Sequence, residues 1–167
     1  LTGLFLWQNI FGVWPADGAV TAQLRERLHA YTEKAIREAA VHTSWNDPVA
    51  EFETAVHAWL DAVLDGPVAV ELTATVARLD PHARADALGQ KLVALTAPGV
   101  PDVYQGTELW EDSLVDPDNR GRVDYQVRRD ALDTTLHSKT AAHPKFRVVH
   151  AALTLRRERP ETFLTGG

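Results

Sequence analysis

One short run sets the tightest limit on what this chain can become. Between Thr96 and Asp102, Pro98 and Pro101 exclude a continuous helix, and Val100 to Tyr104 reads as a short strand. The other apolar segments repeat at helical spacing. A lone strand leaves its backbone N–H and C=O groups without a ladder. Its neighbours are therefore expected outside this sequence. The chain begins at Leu1 without an initiator Met and stops in a turn-like stretch, Thr165-Gly166-Gly167. Both ends suggest a piece of a longer protein.

The helical pattern has clear punctuation. Leu1, Leu4, Phe5, Ile10 and Phe11 follow helical spacing. Leu6, Trp7, Val13 and Trp14 widen the apolar surface almost all round, as in a helix buried in its parent. Pro15 and Gly18 stop it. Thr21 is placed to cap a second helix with Leu24, Leu28, Tyr31, Ala35 and Ala39 as its buried stripe. Its outer face carries the i,i+4 pairs Glu33–Arg37 and Lys34–Glu38, each contributing roughly 0.2–0.5 kcal/mol.

Asp47-Pro48 predicts a third start, with Asp47 as the cap. Val49, Phe52, Val56, Trp59, Leu60 and Val63 share one face, and Gly66-Pro67 ends that helix. A shorter helix follows with Val68, Leu72, Val76 and Leu79, and Asp80-Pro81 predicts another start leading to Leu88, Leu92 and Leu95. Residues 105–124 read as a polar loop, a length usually reserved for function or disorder. Two last helices are expected near 125–137 and 144–159, with Arg156, Arg157 and Arg159 at the negative end of the second.

Composition narrows the function classes. The net charge is −6 and no basic face is visible, against what a phosphate backbone demands of a nucleic-acid binder. No apolar run reaches the ~18 residues of a membrane span. The apolar start has neither a basic leader nor a small-residue cleavage site. With no cysteine there is no disulfide framework and no thiolate metal site. That suits a reducing compartment, and a cytoplasmic location is expected. Asp116-Pro117-Asp118-Asn119 lacks the following Gly and distant Glu of a calcium loop. No metal and no cofactor are expected. His29, His57, His82, His137, His143 and His150 are scattered and receive no role.

The segment from Leu92 to Glu108 carries a resemblance. Gly99, Pro101, Val103-Tyr104, Gly106 and Glu108 fit a Gly-x-Pro-x-(Ile/Val)-Tyr-x-Gly-x-Glu pattern. That pattern is similar to the eighth strand of the α-amylase superfamily barrel. The continuation Leu109 to Arg120 resembles the maltooligosyltrehalose synthase family, the (1→4)-α-D-glucan 1-α-D-glucosylmutases. Trp7-Gln8-Asn9 with Gly12-Val13-Trp14-Pro15 is similar to that family's helix after strand seven. Lys34-Ala35-Ile36-Arg37-Glu38-Ala39 and His42-Thr43-Ser44-Trp45 resemble its next helical stretch, and Leu155 to Pro160 its eighth barrel helix. The family usually reads Asn-Arg-Arg-Pro-Val-Asp-Tyr where this chain has Asn119-Arg120-Gly121-Arg122-Val123-Asp124-Tyr125.

The resemblance implies a mainly α fragment of a (β/α)8 barrel. Residues 1–95 would be a helical excursion between strands seven and eight. Residues 96–124 would be strand eight and a substrate loop, and 125–167 the last barrel helices. It implies a parent that isomerises the terminal α-1,4 link of maltooligosaccharides to an α,α-1,1 link. Such chemistry needs two carboxyl groups about 5–5.5 Å apart. In the family these acids, with a third Asp, come from strands four, five and seven, before Leu1. No catalytic residue is therefore assigned here. Glu108, Glu111, Asp112, Asp116 and Asp118 are read as a solvated acidic loop rather than a new active site.

For substrate contact the resemblance points to Asp116, Asn119 and Arg120 on the loop, since barrel enzymes place their sites on loops after the strands. Their competing role is hydrogen bonding within the loop. Tyr104 offers a ring to a sugar, or is a half-buried strand aromatic. Trp45 offers a stacking face, or packs at a helix junction. Lys34, Arg37 and His42 point into a substrate pocket, or form a solvated face held by ion pairs. Trp7, Trp14 and Trp59 are assigned to core. A non-catalytic carbohydrate-binding or interaction module is the alternative. The partner hydrolase that releases trehalose fits the run 107–120 less well. Freed from a barrel, the chain is expected to self-associate or to be disordered around 96–124.

Overall fold

A computed structural model describes residues 2–138 and 142–164. Leu1 and the turn-like end at 165–167 lie outside the described residues. The chain forms two compact units, one of Leu1–Asp80 with Asp112–Asn119, the other of Pro81–Glu111 with Arg120–Gly167.

The first unit is built on most of the apolar stripes that the spacing predicts, although Ala39 and Val49 at their ends are exposed. Helix α1 (Thr2–Val13) buries Leu6 and Ile10, while Leu4, Phe5 and Phe11 remain exposed. Helix α2 (Ala22–Ala39) starts at Thr21, whose hydroxyl accepts the Leu24 N–H at 3.1 Å. Helix α3 (Ala50–Asp65) packs on α2. Their buried faces, with Leu72 and Val76, close one core around Ile10, Leu28 and Leu60. The three core tryptophans fall where expected. Trp14 is buried and donates from Nε1 to Thr73 Oγ1 at 2.9 Å, and Trp7 meets Trp59 edge to face at 5.4 Å.

One predicted start is displaced and another is absent. Helix α3 begins at Ala50, with Val49 rather than Asp47 at the cap and no side-chain cap bond. The reason is local competition. The Asp47 N–H and C=O are both taken by Ser44, and buried Thr43 accepts the Val49 N–H at 3.0 Å. The second correction concerns Pro81. The two predicted helices are one, α4 (Val68–Thr96), with Pro81 inside. Proline removes one backbone bond, but Ala83, Ala85, Ala87, Leu88 and Lys91 are strong helix formers that carry the helix onward.

In the second unit, α5 (Tyr125–His137) and α6 (Pro144–Glu158) pack together, and a short α7 (Pro160–Leu164) follows. Asp124 caps α5 by accepting the Gln126 and Val127 N–H groups. Leu95, Val149 and Ala152 form a small core with Val103 against it. Arg156 works on a helix other than its own. Its guanidinium donates to the carbonyls of Leu95 at 3.1 Å, Ala97 at 3.2 Å and Gly99, closing the C-terminal end of α4.

No strand forms among the described residues, so the expected strand at Val100 to Tyr104 is irregular backbone. The physical reason is the one its isolation suggested. A strand is held by a neighbour's ladder, and no described segment supplies one. Val100 is 91% exposed. Among the described residues, no helix is long and apolar enough to cross a membrane.

Candidate functional site

Helix α2 presents Arg27 and Lys34 seven residues apart, and so on one face. Both reach the loop at 112–119. Arg27 donates from Nε and Nη2 to the two oxygens of Asp118, at 2.8 and 2.7 Å, and from Nη2 to the Asp112 carbonyl at 2.9 Å. This is the two-pronged geometry in which guanidinium surpasses ammonium. Asp118 also accepts the Leu114 N–H at 2.7 Å, and the Leu114 side chain is buried in the core of the unit. The Arg27 guanidinium, aided by the Leu114 amide, holds the Asp118 carboxyl below its ordinary range, against the opposing effect of burial. Lys34 donates to the Asp116 carbonyl and lies 3.3 Å from its carboxylate, with Glu38 at 3.8 Å.

The structure thus brings Lys34 and Asp116 together. Asn119 follows in a 3-10 turn, Asp118–Arg120. Asp118 is not a solvated acid of a free loop. It is the residue that ties the loop to α2. The only sequence hint is the seven-residue spacing of Arg27 and Lys34.

Arg37 and Trp45 form a second group. Arg37 lies within 2.5 Å of Glu33 and donates to both oxygens of Glu53, at 2.9 and 2.7 Å. Thr43 donates to the same carboxylate at 2.5 Å. The guanidinium also lies over the Trp45 ring, 4.9 Å from its centre. Trp45 sits in the turn closed by Ser44 and Asp47, and it is 57% exposed rather than packed at a junction. A turn that spends its polar groups internally leaves the indole turned outward. Beside it, the His42 ring meets Phe52 at a tilt, 5.0 Å between centres, and lines an apolar cleft of about 310 Å³ with Phe5, Ile36 and Val41.

Glu53 has a pH signature. Hydrogen bonds from Arg37 and then Thr43 hold its carboxyl at about 2, below the ordinary 4.5. A carboxylate whose folded value is depressed adds stability that is complete above the unfolded value. That stability is lost as pH falls through the folded value, here between about 4.5 and about 2. Glu53→Gln should remove this slope. Thermal melts from neutral pH down to about 2 should show a shallower decline for the variant than for the native chain. Parallel curves would show that the pair does not hold the carboxylate.

In the second unit the irregular 97–111 segment carries Tyr104, which is 60% exposed. The turn after it is left-handed at Gln105 and Gly106. Arg128 of α5 organises it, donating to the Gly106 carbonyl at 2.7 Å and to the Asp124 carbonyl at 3.1 Å, with Glu108 at 3.6 Å. Gly106 and Glu108 of the Tyr-x-Gly-x-Glu pattern therefore converge on one guanidinium that the sequence reading missed. Arg120 is exposed and ends the 3-10 turn. Among the described residues no cluster of three or more His, Asp or Glu is arranged to hold a metal ion.

No family model matches the chain. A Mycobacterium tuberculosis protein with the provisional name maltooligosyl trehalose synthase is 65% identical over 166 residues, 99% of this chain and 21% of that protein. The chain is homologous to a segment of the maltooligosyltrehalose synthases. The solved maltooligosyltrehalose synthase of Arthrobacter ramosus superposes with a TM-score of 0.80 at 41% identity, over 93% of this chain and 20% of the other. A hypothetical maltooligosyl trehalose synthase of Sulfolobus tokodaii gives 0.77 at 26% identity, over 98% of this chain and 23% of the other. The chain thus spans about one fifth of the length of the synthases it matches.

Proposed function

We propose that this chain serves as part of a maltooligosyltrehalose synthase, forming a wall and a substrate loop around carboxylates supplied by the rest of the enzyme. The observation that carries this reading is the 65% identity over 166 residues, which takes in the loop at 112–120 and the helix that holds it. The parent converts the terminal α-1,4 link of a maltooligosaccharide into an α,α-1,1 link by intramolecular transglycosylation. A glycosyl-enzyme forms, the cleaved sugar turns, and its C1 hydroxyl attacks in place of water. Hydrolysis wins unless water is kept out. Residues 1–95, as an excursion between barrel strands seven and eight, serve as that wall, and Val100 to Tyr104 becomes a strand when its barrel neighbours supply the ladder.

In this reading Asp116, Asn119 and Arg120 contact sugar hydroxyls at the accepting end. Lys34 and Arg37 line the same pocket, and Tyr104 and Trp45 offer ring faces. Covering about 50 Å² of indole at ~25 cal/mol per Å² is worth ~1.3 kcal/mol. Trp45→Ala in the full-length enzyme should therefore weaken maltopentaose binding about tenfold. The 167-residue chain alone should form no trehalose ends, because it lacks the acid pair. With Leu4, Phe5, Phe11 and Val100 exposed it should elute above its monomer mass. Turnover of maltopentaose to a non-reducing sugar by the chain alone would sink the reading.

The exposed Trp45 backed by Arg37 favours one second reading, a carbohydrate-binding module without catalysis. Titrating the isolated chain with maltopentaose separates the two. Saturable quenching of Trp fluorescence without turnover supports the module.

A further inference from the structure

We propose that Arg27 is the positioning residue of the substrate loop, latching Asp118 so that Asn119 meets the sugar in one fixed place. This rests on the reading that the 112–120 loop contacts substrate. Four observations carry it. The segment 97–117 has no helix or strand to hold it. Arg27 brackets its end, touching the Asp112 carbonyl on one side and both Asp118 oxygens on the other. Asp118 passes the constraint on through the Leu114 N–H, and Leu114 is anchored in the core. Asp118 also opens the 3-10 turn, so fixing its carboxylate fixes the backbone that leads into Asn119.

The fork is what matters. The arginine side chain is 28% exposed and the aspartate 13%, so water competes poorly for the pair. Lysine would keep the charge but lose one prong and the reach to the Asp112 carbonyl. Lys34 does not duplicate the latch, because it holds Asp116 as a point charge from about two turns further along α2. Arg27 itself touches no sugar in this arrangement. It acts through the loop.

The test uses the full-length synthase carrying this segment, with maltopentaose as substrate. Arg27→Met keeps the stem and removes the fork, and Asp118→Asn removes the partner charge. Each should raise KM roughly tenfold, leave kcat within about threefold and raise the ratio of glucose released to trehalose ends formed. Arg27→Lys should recover part of the KM loss. The double variant should be no worse than either single one, because both remove the same latch. Hydrogen exchange at the Leu114 amide should accelerate in Arg27→Met. A multiplicative KM loss in the double variant would overturn the latch. So would an unchanged KM in Arg27→Met when Asn119→Ala raises it, and the substrate-loop reading would then stand. If Asn119→Ala and Arg27→Met both leave KM unchanged while Leu114 exchange accelerates, the substrate-loop reading itself fails and the positioning role falls with it.

Discussion

Leu28→Ala should destabilise the chain by about 2–5 kcal/mol, the range for a leucine deleted from a closed core. Leu28 is 1% exposed and lies in the cluster with Ile10, Leu24, Leu60 and Val63. It stands on the stripe of α2 that meets α3. Part of the loss is the transfer of the side chain to water, and the rest is the cavity left behind. Urea titration followed by Trp fluorescence reads it directly, since Trp14 is in the same cluster and Trp7 and Trp59 pack on it. Leu92→Ala is the control. Leu92 is 47% exposed, and the same truncation there should cost under about 0.5 kcal/mol. Equal losses at the two sites would mean that α2 and α3 do not share a packed core.

Gly106→Ala should rank beside it, for a different reason. Gly106 has a φ of +75°, and a Cβ there would stand 2.1 Å from Arg128 Nη2. The left-handed backbone alone costs an alanine about 1 kcal/mol. The clash cannot be relieved cheaply. Arg128 is held by the carbonyls of Gly106 and Asp124, and its Nε lies 3.6 Å from a buried Glu108 oxygen, neither atom having a hydrogen-bond partner among the described residues. Pushing the guanidinium aside leaves Glu108 without its cation, and breaking such a pair costs about 3–5 kcal/mol when it is buried. With side chains 17% and 26% exposed the pair falls below that range, and a total of about 2–5 kcal/mol, backbone cost included, is expected from the same urea titration. Arg128→Ala should lose a similar amount, and Gly106→Ala added to it should cost little more, because the atom it would strike is gone. A full additive loss would place the strain in the backbone alone.

These two positions show what could be read ahead of the fold and what could not. Leu28 announces itself, because a 3.6-residue period of apolar side chains has one meaning in water. The same logic located α1, α2, α5 and α6, the Thr21 cap and the two ion pairs on the outer face of α2. Each of these depends on residues within a few positions of one another. The latches are of another kind. Arg27 and Asp118 are separated by 91 residues, and Arg156 and Leu95 by 61. Nothing local marks one arginine as the partner of one aspartate among several.

The displaced helix start and the missing strand follow the same division. Asp47-Pro48 is a sound start signal, but buried Thr43 and the Ser44 turn claim the backbone groups that a cap at Asp47 would use. The strand-like run at Val100 to Tyr104 has the right residues and no ladder. Periodicity, charge and turn chemistry act over a few residues, so the amino-acid order alone determined the helical character, the core stripes and the family resemblance. Which cation grips which carboxylate, whether Trp45 faces inward, and whether an extended run becomes a strand depend on groups that only the folded chain brings within about 3–5 Å, and tertiary structure decided them.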